Sequence, residues 1–112
     1  VDIARFERYL ERTPRLRERL FGERERDLPA HSLAARFAAK EALVKALGHS
    51  GGMTWADMEV ERGEHQAPGF VLTGRLEIEL ATRGADRVHL SMTHDAGIAT
   101  AFVVIEGGGL GL

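Results

Sequence analysis

The chain contains no cysteine and only two lysines among its 112 residues. Without cysteine there are no disulfides and no thiolate metal site, a composition that suits the cytoplasm. Long apolar runs are also missing. Stretches such as Ile98–Ile105 fall far short of the roughly 20 residues a membrane helix needs, and no secretory signal opens the chain. No Walker or dinucleotide loop is present, and no helical histidine pair has zinc spacing. Neither Ser50 nor Ser91 stands in a nucleophile elbow. With 15 basic against 17 acidic side chains the formal charge is −2, which rules out neither nucleic acid nor membrane but argues against a basic protein built to coat phosphates.

What is present fits one globular domain. Apolar residues make up 44% and charged residues 29%, which excludes a disordered or collagen-like chain, and 112 residues can bury a real core. The basic residues divide into 13 arginines and 2 lysines, and both lysines, Lys40 and Lys45, fall in one short helical stretch.

Periodicity predicts helices first and a mostly antiparallel sheet after them, an α+β fold. Ile3, Phe6 and Leu10 share one helical face within residues 2–12, with Arg5, Arg8 and Arg12 along another. Pro14 breaks this segment, and a second short helix carries Leu16, Leu20 and Phe21. Residues 1–27 mix charges densely, as a solvated helix face does. A longer helix is expected over Ser32–Leu47, with Ser32 as its cap and Gly48 as its stop. A flexible loop, Gly48–Gly52, follows. Met58 and Val60 alternate with Glu59 and Glu61 as in a strand, residues 62–69 turn, and Phe70–Thr73 reads as a strand. Arg75–Ala81 is helical, and Arg87–Thr93 and Ile98–Ile105 form a hairpin through His94-Asp95-Ala96-Gly97. Residues 1–106 are therefore expected as one domain and 107–112 as a disordered tail. Because it begins at Val1, the chain is expected to be a processed or shortened form of a longer one.

The chemistry concentrates in the run from Arg36 to Gly48. Glu41 and Lys45 stand one helical turn apart, and Arg36 and Lys40 make a second such pair on a neighbouring face. One carboxylate among three cations can hold Mg²⁺, which keeps waters and takes further oxygens from substrate phosphates, while the cations neutralise those phosphates. The spacing is equally that of a surface ion pair contributing about 0.3–0.5 kcal/mol. Ala34, Ala35, Ala38 and Ala39 allow close approach to the helix, although alanine also reflects helix propensity. His94, ending a strand at a hairpin mouth, is a second candidate, and a solvated turn histidine is its plainer explanation. The remaining histidines, His31, His49, His65 and His89, offer weaker patterns. The arginines Arg5, Arg8, Arg12 and Arg15 suit an acidic partner, or simply a solvated face balanced by Glu7 and Glu11.

The run Arg36-Phe37-Ala38-Ala39-Lys40-Glu41-Ala42, continued by Lys45-Ala46-Leu47-Gly48, resembles the signature of the holo-acyl-carrier-protein synthases, the small branch of the 4′-phosphopantetheinyl transferase superfamily. His89-Leu90-Ser91-Met92-Thr93-His94-Asp95 resembles that family's second motif, and the likeness extends from about Val1 to Glu106. The resemblance implies Mg²⁺-dependent transfer of the phosphopantetheine arm of coenzyme A to a serine of apo acyl carrier protein. Adenosine 3′,5′-bisphosphate would leave, in the service of fatty-acid or polyketide synthesis. It implies Glu41 as metal ligand and activator of the serine, and Lys45 as the group that stabilises or protonates the departing phosphate. Arg36, Lys40, Lys45, Gly48, Pro68, Thr93 and His94 fall where the family contacts coenzyme A, with His94 also counted among the catalytic set. Arg5, Arg12 and Arg15 fall on its carrier-docking helix. A homotrimer with active sites between subunits is implied as well.

One departure stands out. The family's second metal ligand is an aspartate in a Gly-x-Asp stretch, and the alignment of Arg5-Phe6 and Glu11-Arg12-Thr13-Pro14 puts it about three residues ahead of Asp2. Asp2 is not that ligand, because sliding the chain to make it so spoils the register of the first helix. The expectation is that the full-length protein is active and the 112-residue chain alone is impaired. The alternative is a module of the same fold that binds carrier protein or nucleotide without chemistry.

Overall fold

Alanine and leucine set the longest element, α3, which runs from Ala30 to Leu47 in the computed structural model. The structure describes residues 1–62 and 67–107, so His65, half of the expected turn at 62–69 and residues 108–112 of the expected tail lie outside it. The helix begins two residues before the sequence suggests. Pro29 occupies the cap position without a side-chain cap, and Ser32 falls inside the first turn. The reason is that proline's fixed φ already suits a helix entry, so no capping hydroxyl is needed to define it. Gly48 ends the helix in the left-handed region at φ 94°, donating its N–H to the carbonyls of Val44 and Lys45.

Ahead of α3 lie α1, Ile3–Arg12, and α2, Leu16–Leu20. After it come a short 3₁₀ turn at Trp55–Asp57, strands β1 (Val60–Arg62) and β2 (Pro68–Phe70), helix α4 (Gly74–Thr82), and strands β3 (Arg87–Asp95) and β4 (Ile98–Glu106). The α+β class is as expected. The sheet is two separate antiparallel ladders, β1 with β2 and β3 with β4. The strand expected at Phe70–Thr73 lies slightly earlier, since Pro68 is tolerated as the first residue of an edge strand. Ala96 and Gly97 turn the long hairpin with φ of 50° and 79°, the two positive values that a right-handed two-residue hairpin turn requires.

Asp2 caps α1, its Oδ1 accepting from the Arg5 N–H at 2.9 Å. Just before it, Val1 pairs with β4: its ammonium donates to the Ala99 carbonyl at 2.8 Å and the Ala99 N–H returns 2.8 Å to the Val1 carbonyl. The chain thus enters the fold as an extended segment antiparallel to β4.

α3 is the spine between two apolar clusters. Ala39, Leu43 and Leu47 join Met58, Val60, Leu76 and Leu80 on one side. Leu33, Ala34 and Ala35 join Phe6, Leu10, Leu20 and Phe21 on the other. Each fully buried Leu or Phe contributes about 1.5–3 kcal/mol, so these contacts fix the helix against both halves of the molecule. The hairpin presents an inner face to α3 and leaves the other uncovered, with Ile98 46%, Phe102 69% and Val104 43% exposed.

Candidate active site

Glu41 and Lys45 meet in a groove of about 310 Å³ between α3 and β4, floored by Ala38, Ala42, Ala99 and Ala101 and rimmed by Val1 and Thr100. Small side chains on both elements leave this space. Glu41 is half-buried and Lys45 exposed. Among the described residues neither has a hydrogen bond or an ion pair, so the surface pair that their spacing allows does not form. A carboxylate and an ammonium side by side, both unpartnered, are available to a ligand.

Arg36 and Lys40, expected beside the same ligand, face elsewhere. Lys40 is wholly buried, and its three N–H groups are taken by the Leu20 carbonyl at 2.6 Å, Glu25 Oε1 at 2.7 Å and the Trp55 carbonyl at 3.1 Å. No donor of its ammonium is left over for the coenzyme A contact that the resemblance implies. Burial lowers the Lys40 pKa, opposed by the Glu25 charge. Arg36 is 6% exposed, its Nε lies 3.9 Å from Glu25 Oε2, and that Nε is a buried donor with no hydrogen-bond partner among the described residues. Burial lowers its pKa too, again opposed by Glu25.

The other expected contacts are distributed. Thr93 lies across the ladder from Thr100 and His94 from Ala99, so the end of β3 adjoins the strand that floors the groove. The His94 ring lies 5.2 Å from that of His31 at the start of α3. Gly48 closes α3, and Pro68 opens β2 in the other ladder. The Glu41–Lys45 groove is lined by none of Arg36, Lys40, Pro68, Thr93 or His94.

A sequence model described as the 4′-phosphopantetheinyl transferase superfamily matches residues 1–101. The chain belongs to that superfamily. It is 64% identical over 107 residues to the holo-[acyl-carrier-protein] synthase of Clavibacter michiganensis, covering 96% of this chain and 90% of that protein. Its fold is similar to the crystal structure of holo-[acyl-carrier-protein] synthase from Neisseria meningitidis, at a TM-score of 0.87 and 30% identity over 95% of this chain and 92% of that one. It is also similar to the Helicobacter pylori enzyme solved in complex with coenzyme A, at a TM-score of 0.82 and 30% identity over 95% of each chain.

In this phosphopantetheinyl transferase, α1 and α2 border an apolar groove of about 510 Å³ lined by Phe6, Tyr9, Leu16, Leu20 and Phe37, with Arg5 and Arg19 on its walls. Arg5 donates from Nε to the Tyr9 hydroxyl at 3.2 Å. Among the described residues Arg8, Arg12 and Arg15 make no ion pair, so Glu7 and Glu11 do not tie them down. Two features escaped the sequence reading. Glu25 sits in a charged run that reads as solvated, yet it is fully buried. The loop Gly48–Gly52, expected to be flexible, is held by α4. Arg83 donates from Nε to the Leu47 carbonyl at 3.1 Å and meets the His49 ring at 2.9 Å, while Glu79 Oε1 accepts from the Gly52 N–H at 3.2 Å. Neither feature has a periodic signal, because each joins residues far apart in the chain.

Among the described residues no three His, Asp or Glu side chains cluster to hold a metal, and no helix is long and apolar enough to cross a membrane. Glu41 supplies one hard oxygen ligand. That suits Mg²⁺, which is bound through one or two carboxylates with waters and phosphate oxygens completing its shell.

Proposed function

We propose that the Glu41–Lys45 groove transfers the 4′-phosphopantetheine arm of coenzyme A to a serine of apo acyl carrier protein. The observation that carries this reading is the unpaired carboxylate beside the unpaired ammonium, in a groove floored by alanines. The serine oxygen attacks the phosphorus bearing the pantetheine arm, and the bond to the bridging oxygen breaks. Adenosine 3′,5′-bisphosphate departs with the bonding electrons. Glu41 would hold Mg²⁺ and, through a water, take the serine proton; the ion, when bound, would supply charge neutralisation to the pyrophosphate. Lys45 balances or protonates the departing phosphate, the point where negative charge accumulates.

A second carboxylate for the metal has a place in this fold. Val1 stands opposite Ala99 and lines the groove. A residue two places ahead of Val1, continuing that antiparallel pairing, would stand opposite Ala101 with its side chain on the Val1 side, because strand side chains alternate. The family resemblance implies a metal-binding aspartate about three residues ahead of Asp2, which fits that position.

Arg5 on the wall of the apolar groove, with Arg12 at the end of α1 and Arg15 at the start of α2, suits an amphipathic acidic helix of the carrier protein. The uncovered hairpin face, with Phe102 and Val104, suits further copies of the chain in a homotrimer. Incubation of the natural full-length protein with coenzyme A, Mg²⁺ and apo carrier protein tests the reading. The carrier should gain the mass of the arm, adenosine 3′,5′-bisphosphate should appear in equal amount, and Glu41→Gln should lose transfer by at least about a hundredfold. Unchanged transfer by Glu41→Gln overturns the site.

A further inference from the structure

We propose that Glu25 and Lys40 are positioning residues, a buried pair that sets the rotation of α3 so that Glu41 and Lys45 face their groove; this rests on the reading of that groove given above. Lys40 gathers acceptors from three segments: Leu20 at the end of α2, Glu25 in the following loop, and Trp55 in the 3₁₀ turn. Its ammonium also lies 4.8 Å over the Phe21 ring. Glu25 is equally saturated. Oε1 accepts from the Gly22 N–H at 3.0 Å, and Oε2 accepts from the Val60 N–H at 3.0 Å and faces Arg36.

Stability does not account for such a pair, since apolar residues of similar volume commonly hold a core as well as or better than a buried ion pair. Three fixed acceptors around one ammonium provide direction instead. α3 needs it, because apolar residues surround the helix: Ala34, Ala35, Ala39, Leu43 and Leu47 are buried on different sides, and Ala38 and Ala42 line the groove. The leucines Leu33, Leu43 and Leu47 hold the helix in place, but alanines interlock weakly, so on the alanine side the Glu25–Lys40 pair adds the directional constraint that packing gives least of. Glu41 follows Lys40 by one residue, about 100° around the helix, and Lys45 lies one turn further on. A rotation that released Lys40 would swing both groups away from the alanine floor. A misplacement of about 1 Å is enough to lower a rate a hundredfold.

The test uses the natural full-length protein with three changes: Lys40→Met alone, Glu25→Leu with Lys40→Met, and the shortened tether Glu25→Asp. Lys40→Met strands a buried carboxylate and should melt well below the parent. The double variant should regain the parent melting temperature while kcat stays down about tenfold or more. In the double variant KM for coenzyme A should stay within about twofold, and the Mg²⁺ concentration for half-maximal activity should rise. Binding of Mn²⁺ alone, followed by its electron spin resonance, should weaken in parallel without any turnover. Glu25→Asp, which keeps the charge, should show the same kinetic pattern even if the double variant fails to fold. Parent kcat and parent metal midpoint in either the refolded double variant or Glu25→Asp overturn the proposal. Glu41→Gln, run alongside, separates the two ideas: retained transfer there removes the groove reading itself, whereas its loss with an unaffected double variant removes only the positioning role.

Discussion

Lys40 and Lys45 stand on the same helix, five residues apart, and the fold treats them in opposite ways. Lys40 is sealed, with all three donors spent on the protein; Lys45 is exposed and has no partner among the described residues. The difference teaches where a charge on a helix does its work: a saturated buried cation acts on the fold, and an unsaturated one at a groove can act on a ligand. The largest expected effect breaks this contrast at its buried end. Lys40→Ala strands Glu25 and should cost about 3–5 kcal/mol in urea unfolding, whereas Lys45→Ala should stay within about 0.5 kcal/mol. Equal losses at the two positions would dissolve the distinction.

Activity should reverse the order of directness. Lys45→Met should lower kcat for arm transfer about a hundredfold, the scale of removing one preorganised group from a developing charge, with an unchanged melting temperature. Coenzyme A affinity, measured by calorimetry, should fall less than kcat if Lys45 acts on the departing phosphate. A loss confined to affinity would reduce Lys45 to a binding contact.

The contrast also marks what the sequence could and could not show. Helical spacing placed Arg36, Lys40, Glu41 and Lys45 on faces, and the period-two strands of the hairpin were legible, although the connection read as His94–Gly97 narrows to Ala96 and Gly97 because β3 stays paired to Asp95. Spacing says nothing of what a face meets. Lys40 and Lys45 have equal claims on a phosphate until Glu25, 15 residues away in the chain, is found at 2.7 Å from the former. Glu25 itself lies among Glu23, Arg24, Arg26 and Asp27, where charge density hides a buried residue as well as it reveals a solvated one. The Gly48–Gly52 loop reads as free because glycine marks freedom, and only the structure brings Arg83 and Glu79 onto it.

The exposure of Lys45 belongs to a single copy of the chain. Phe102 stands on β4 just beyond Thr100 and Ala101, which line the groove, and it is 69% exposed in a row with Ile98 and Val104. Ile78 on α4 is 54% exposed without such a row. Phe102→Asp should therefore lower the sedimentation coefficient of the full-length protein to that of a monomer and depress transfer, while Ile78→Asp should change neither. Parent-like sedimentation by Phe102→Asp would mean that this hairpin face is not the contact between copies.

Glu79 is the intermediate case between the two lysines, paired and half-buried, and the smallest effect is expected there. The hydrogen bond from Arg83, reinforced by the Gly52 N–H, holds its carboxyl below the usual carboxylate range. Because the folded pKa is depressed, the stabilisation it gives is complete above the unfolded value, about 4.3, and is lost only as pH falls through the lower folded value. The Gly52 amide resonance should therefore titrate at a midpoint below that of a free glutamate. In Arg83→Met that midpoint should move up toward the ordinary value, and the loop after α3 should loosen at a higher pH than in the parent. An identical midpoint in both proteins would show that Arg83 does not set the Glu79 charge, leaving the loop beside Lys45 held by the Glu79–Gly52 bond alone.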